Sequence, residues 1–475
     1  MRSSAALLVI FLLLQPSFFF DALSQTDVTT APMEEKEKQA LYYTIQGFVG
    51  KLWNGSELYP DPCGWTPIQG VSCDLFDSMW YVTTINIGPT YDNSLECSKK
   101  AEFSPYLFEL RHLKSLSIFN CFASTNTQQT TIPADNWNKL SSSMQNLELR
   151  SNKGLLGKVP HVLGQLVNLQ SLVLSNNSLT GELPRELGNL VHLKRLTLSG
   201  NQLYGNLPKS LGATLAELLI LDISNNHLVG PLHSSLGGLT SLLKLDLSNN
   251  LLNGSLPLEL SKLKNLTLLD LRNNNLSGAF NPSLLGMVSL QDMVLSNNPF
   301  GETIEKFDWK SLENLTYLDL SNMGLVGGIP NSITELKKLR FLSLKNNQLS
   351  GFVPAKLVDM PSLSALYING NNLSGELGFP KDFYKRMRFA SWNNPNLCYN
   401  SGAGETTGQG PIGVDECINR DGNSVHHLDL GENVSGEQTT QGFDGNVSSG
   451  SSAYPLHRFL WIAFLELVAI LFLRY

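Results

Sequence analysis

The chain is poor in charge. Only 16% of its 475 residues are Asp, Glu, Lys or Arg, and the balance is acidic, with a formal net charge of −7. A nucleic-acid partner calls for a basic stripe, so the composition argues against that class. Cysteine is scarce, and none of the six stands in a CxxC pair or beside paired histidines, which argues against a zinc site. Histidine is scarce too. His227 takes a variable position, and His426 and His427 fall in a Gly/Ser-rich tail. The sequence has no GxSxG or HExxH motif, and none of the Gly-rich loop, HRD or DFG segments of a kinase. These absences exclude an enzyme and imply no cofactor and no metal. Any signal the chain sends must pass through a partner.

What is present is a sentence repeated about every 24 residues. LQSLVLSNNSLTGELPREL begins at Leu169, LKRLTLSGNQLYGNLPKSL at Leu193, LLKLDLSNNLLNGSLPLEL at Leu242 and LTLLDLRNNNLSGAF at Leu266. A fixed period of this length means stacked copies of one structural unit. Such a solenoid offers a long concave sheet rather than a deep pocket, so its natural work is binding. In each L-x-L, alternate residues point to opposite faces, so both leucines enter the core and the middle residue faces solvent. An asparagine closes each strand at Asn152, Asn177, Asn201, Asn226, Asn250, Asn274, Asn298, Asn347 and Asn371. Its amide can satisfy backbone groups left unpaired by the bend. The steps are 24 or 25 residues, except one of 49 across Met323, which takes an asparagine's place. Gly181, Gly205 and Gly254 permit a close turn, and the following Leu-Pro or Ile-Pro pair suits an extended, non-helical return.

The fold expected is an α/β leucine-rich repeat solenoid with disulfide-bonded caps. Residues 1–24 read as a signal peptide: Arg2, an apolar run, then Ala22 and Ser24 at small-residue cleavage positions. Residues 25–111 form an N-terminal helical cap and first strand. The helix is expected from about residue 34 to 53 with the stripe Leu41, Ile45, Phe48, Leu52, and the strand from Val82. Repeats occupy 112–392, a C-terminal cap 393–417, and a disordered stalk 418–452. Residues 453–475 are a hydrophobic anchor or the signal for a GPI anchor: small residues, a spacer, then a short apolar tail broken by Glu466. The cysteines flank the regular repeats. Sequence alone leaves their connectivity open, and neighbours pair most simply: Cys63 with Cys73, Cys97 with Cys121, Cys398 with Cys417. Sequons stand at Asn54, Asn176, Asn253, Asn265, Asn275, Asn314, Asn372, Asn433 and Asn446, and glycosylation is expected after a signal peptide.

Two concave-face patterns are candidates for contact. Asp222, Asp246, Asp270 and Asp319 make an acidic column, but LDLS is the common wording of the repeat and a solvated column is the plainer reading. Tyr317, Phe341 and Tyr367 depart from that wording, with Arg272 and Lys345 at outward positions nearby. Aromatic and arginine side chains anchor interfaces out of proportion to their number, which makes these five the expected binding residues.

The motif LxxLxxLxLSxNxLxGxLP resembles the plant-type extracellular leucine-rich repeat over about residues 55–420. DPCGWTPIQGVSC resembles the N-terminal cap of plant receptor kinases and receptor-like proteins, and NNPNLC their C-terminal cap. The resemblance implies a plant cell-surface protein, on the outer face of the plasma membrane, in growth or microbial responses. Three functions fit. The first is a kinase-less receptor-like protein that binds a peptide, glycan or protein and signals through a kinase-bearing co-receptor. The second is an inhibitor of a secreted cell-wall-degrading enzyme, as the polygalacturonase-inhibiting relatives suggest. The third is an extracellular scaffold. A retained anchor favours the first.

Overall fold

The structure is a computed structural model that describes residues 31–89, 95–122, 129–280, 282–400 and 411–417. The expected signal peptide, stalk and hydrophobic tail lie outside the described residues, as do Asn433 and Asn446. Among the described residues no helix is long and apolar enough to cross a membrane.

Each repeat contributes one short strand to a single 14-stranded sheet on the concave side. From Met79–Ile87 through Arg388–Ala390 neighbouring strands are parallel. A parallel sheet needs a crossover between strands, and here each crossover is the rest of the repeat. Aliphatic residues flank the outward residues of the regular repeats, as Leu221 and Ile223 flank Asp222, and both of these are fully buried.

A ladder of buried asparagine amides runs beneath the strands. Asn250 donates its Nδ2 to the carbonyls of Ile223 (3.0 Å) and Leu247 (3.1 Å), and its Oδ1 accepts the Leu228 N–H (3.0 Å). Asn226 and Asn274 repeat the pattern one step to either side. The amide thus joins two repeats and removes the penalty of burying their turn groups. The residue before it is left-handed: Asn225, Asn249, Asn273, Asn297, Asn322 and Asn346 have φ between 55° and 58°. Asparagine tolerates this region, and glycine takes the same place at Gly200 and Gly370.

After each prolyl residue the chain does not stay extended as the sequence implied. Pro184 is extended (φ −63°, ψ 130°), but Arg185–Asn189 then makes a short 3-10 helix. One such turn per repeat lines the convex side, with an α-helix, Lys209–Thr214, in one of them. Proline at the cap position costs nothing because its missing N–H falls outside the turn's hydrogen bonds.

The N-terminal cap differs from expectation in two ways. Its helix, Glu35–Val49, ends four residues early at Gly50 (φ 105°), and Leu52 is fully exposed rather than part of the buried stripe. The first strand is not the one at Val82. Val71–Phe76 and Met79–Ile87 form an antiparallel hairpin through Asp77 and Ser78, both at positive φ. The helix still seals the stack: Phe48 packs on Phe103 and Phe122, at ring distances of 5.6 and 6.1 Å. The structure joins Cys63–Cys73, Cys97–Cys121 and Cys398–Cys417. At the far end the helix Lys381–Arg386 and the rings of Phe379, Phe383 and Phe389 close the core.

On one flank, the strands that follow each asparagine form a second layer, and this layer is broken. One five-stranded sheet ends at Asn275–Leu276, and a second begins at Val326–Gly327. The cause is Pro299. In neighbouring repeats the residue after the asparagine donates its N–H to the previous repeat, as Gln202 does to the Leu179 carbonyl and Gln348 to that of Leu325, both at 2.8 Å. Pro299 holds that position and has no N–H, so pairing stops at Leu276. One repeat later, Met323 interrupts the asparagine ladder as its sequence implied. Met323 is fully buried, and the Phe300 N–H turns instead to its own Asn298 carbonyl (2.9 Å). Phe280, Phe300, Phe307 and Trp309 fill the core of this irregular stretch.

Candidate functional site

Strand register sorts the outward residues of the concave sheet into columns, and the columns divide by chemistry. In the middle of the sheet lies a charged row. Ile220, Lys244 and Leu268 are register partners, and so are Asp222, Asp246 and Asp270. Lys244 Nζ stands 3.2 Å from Asp222 Oδ2 and 3.7 Å from Asp246 Oδ2. Asp222, Asp246 and Asp319 each also accept a 2.7 Å hydrogen bond from the hydroxyl of the serine two residues on. Burial, then the neighbouring Asp222, pushes the Asp246 carboxyl above its ordinary range, while Lys244 opposes the shift. All four aspartates therefore spend acceptor capacity on their own turns, Asp270 by accepting the Arg272 N–H at 3.2 Å. The column is thus partly buried and held by Lys244 and Arg272, neither solvated nor unpaired as the common wording had implied.

Arg272 belongs to this row. Its Nε is 3.5 Å from Asp270 Oδ2. The strand Asp292–Val294 separates its repeat from that of Tyr317, so the fold does not bring Arg272 to the aromatic residues.

Tyr317, Phe341 and Tyr367 do come together. Tyr317 and Phe341 are register partners, and their rings stack at 4.1 Å with planes 2° apart. Tyr367 lies one strand further and diagonally across, 5.5 Å from Phe341. All three are half-buried, so each keeps an open edge or face toward the concavity. Lys345 flanks them. Lys345, Asn369 and Trp392 hold one equivalent position in successive repeats, since each carbonyl accepts a backbone N–H from the repeat before it, from Asn322, Asn346 and Gly370.

The sequence did not point to three residues of this patch. Asp292 sits beside Tyr317 in register, Arg388 beside Ala365, and Trp392 remains 41% exposed. Asn369 is the fourth addition. It is 8% exposed, and its Oδ1 is buried without a hydrogen-bond partner among the described residues. A buried acceptor left unpaired carries a desolvation cost that an incoming donor can relieve. The available signal was the departure of LQDMVL, LYING and FASWN from the L-x-L-S-x-N wording.

The seven sequon asparagines among the described residues are exposed or half-exposed, and none lies on a concave strand. Sugars at these positions would leave the concave sheet open.

A stacked parallel sheet, capped at both ends and presenting aromatic and charged side chains on its concave face, defines a solenoid binding protein of the leucine-rich repeat class. The chain belongs to the leucine-rich repeat family, whose leucine-rich repeat region matches residues 112–404. It is similar to two plant proteins of Arabidopsis thaliana. Piriformospora indica-insensitive protein 2 is 54% identical over 149 residues, covering 31% of this chain and 34% of that protein. Receptor like protein 29 is 35% identical over 176 residues, covering 36% of each. The chain thus spans about a third of the length of the curated relatives it matches. Among solved structures it resembles the ectodomain of the Arabidopsis receptor kinase HAESA in complex with the peptide hormone IDA and the co-receptor SERK1. That match has a TM-score of 0.56 at 26% identity over 77% of this chain and 66% of that one.

Proposed function

We propose that this chain is a kinase-less receptor-like protein at the outer face of the plasma membrane. It binds a peptide or protein partner on the C-terminal half of its concave sheet and signals through a kinase-bearing co-receptor. The observation that carries the reading is the stripe Tyr317–Phe341–Tyr367, with Lys345 beside it and the unpaired Asn369 acceptor at its edge. Aromatic side chains gathered on a shallow surface give large contact area at little entropic cost. A backbone N–H from a bound peptide would satisfy Asn369. The relatives agree in kind, since one is a receptor-like protein and one solved neighbour is a receptor holding a peptide hormone and a co-receptor. The role in growth or microbe response rests on resemblance alone.

The test is to change Tyr317, Phe341 and Tyr367 to alanine together in the secreted ectodomain and to compare its capture of plant membrane proteins with that of wild type. Secretion should persist, because these residues lie outside the leucine core. Capture should fall roughly tenfold or more, as truncation of interface anchors typically produces. Equal capture by a well-secreted triple variant would move the site to the charged row or to a flank.

A further inference from the structure

The break in the flank layer opens a groove of about 570 Å³, lined by Asn275, Asn297, Asn322, Met323, Val326 and Gln348 among others. That volume falls within the roughly 300–1,000 Å³ of ordinary small-ligand sites. It exists because Pro299 withholds the N–H that would pair the next strand to Leu276. The lining carries no charged side chain. Carboxamides supply donors and acceptors on its walls, and Val326 supplies an exposed apolar side chain.

One lining residue is itself an acceptor for sugar. Asn275 is exposed at the edge of the broken sheet and begins the sequon Asn275-Leu276-Ser277. We infer that the groove seats the first sugars of an N-linked glycan carried by Asn275. Attachment forms one bond, from Asn275 Nδ2 to the anomeric carbon of N-acetylglucosamine. It breaks that carbon's bond to a lipid-linked diphosphate donor, which departs as the amide gives up a proton. The sugar is uncharged, offers hydroxyls and an acetamide to Asn297, Asn322 and Gln348, and can lay a ring face on Val326, which is 37% exposed. A covalent occupant needs no affinity of its own to stay close, because attachment fixes its local concentration.

The neighbouring strand provides a built-in control. Asn253 is also in a sequon and is the register partner of Asn275, but it stands on the unbroken side, where strand pairing continues. A glycan there has no groove beside it. The inference does not depend on the concave-face site, which lies on other strands, so either can fail alone.

The experiment uses the full chain, secreted from plant cells with its glycans intact. Glycopeptide mapping gives occupancy at each sequon, and a timed digestion of the native protein with an endoglycosidase gives the trimming rate. Asn275 should be occupied, and its glycan should be trimmed several-fold more slowly than that of Asn253. The double substitution Asn322→Ala with Gln348→Ala should bring the Asn275 rate up to the Asn253 rate. An unmodified Asn275, equal trimming at the two sites, or protection that survives the double substitution would each overturn the inference.

Discussion

The second asparagine of each N-N pair and the first do different work. Asn250 is buried and serves three carbonyls and one N–H, whereas Asn249 is half-buried in the left-handed region with φ 56°. Asn250→Ala should therefore cost about 1–3 kcal/mol, because it leaves buried backbone groups unpaired. Asn249→Gly should stay within about 0.5 kcal/mol, since glycine already fills this place in two repeats. Equilibrium urea unfolding distinguishes the two. Glu37 invites a second prediction. Its carboxyl is buried in the N-terminal cap and accepts the Val82 N–H at 3.1 Å. Burial raises its pKa from 4.5 to about 7, with the Val82 hydrogen bond opposing the shift. The folded state thus favours the protonated acid. The stability it contributes is complete below about pH 4.5 and is lost as pH rises through about 7. Glu37→Gln should melt at the same temperature as wild type near pH 4 and at a higher one near pH 8. A constant difference across that range would refute the assignment. The spacing of the helix told which side was apolar, but it did not tell that Glu37 would be carried under the hairpin.

At the scale of elements, what was legible was local. L-x-L alternation and the closing asparagine state the register of each repeat without reference to anything distant, so the strands and the ladder were visible in the sequence. The hairpin Val71–Phe76 with Met79–Ile87 was not. Its turn is Asp77-Ser78, and the usual Asn-Gly or Asp-Gly signal for two positive-φ residues is missing. The helix end was misplaced because Leu52 continues the apolar spacing after Gly50 has already turned the chain. The binding residues show the same limit. Tyr317 and Phe341 are one 24-residue period apart and Tyr367 stands two residues past the next, so the three fell on adjacent strands, whereas Arg272 was grouped with them by proximity in sequence and is held elsewhere by Asp270. The N-terminal bridges belong to this scale too. Cys97–Cys121 ties the segment packed on Phe48 to the first full repeat. Replacing both cysteines with serine should cost about 2–5 kcal/mol, read as lowered secretion and an earlier melting transition.

The whole molecule is a sum of units and their interfaces, so length should be adjustable. Removing residues 242–265, one full period, joins equivalent positions of neighbouring repeats. The shortened chain should be secreted with both caps intact and should keep partner capture, because the aromatic stripe is untouched. Removing 317–340, equal in length, should also fold but should lose capture along with Tyr317. Circular dichroism and the membrane-protein capture assay separate these outcomes.

The interruption at Pro299 has a mechanical meaning. From Thr180–Glu182 to Asn275–Leu276, and again from Val326–Gly327 onward, two hydrogen-bonded layers resist bending together, as the two flanges of a beam do. At this repeat the concave layer runs through while the flank layer is cut. Stiffness there rests on one flange, so elastic bending concentrates at that joint. Spin labels placed three repeats apart across it should give a broader distance distribution than a pair equally spaced within the first flank sheet. The joint falls between the charged row, which ends at Arg272, and the aromatic stripe, which begins at Tyr317. A partner long enough to span both would therefore meet two stiff panels joined by one flexure, and its grip on either panel would set the angle of the other.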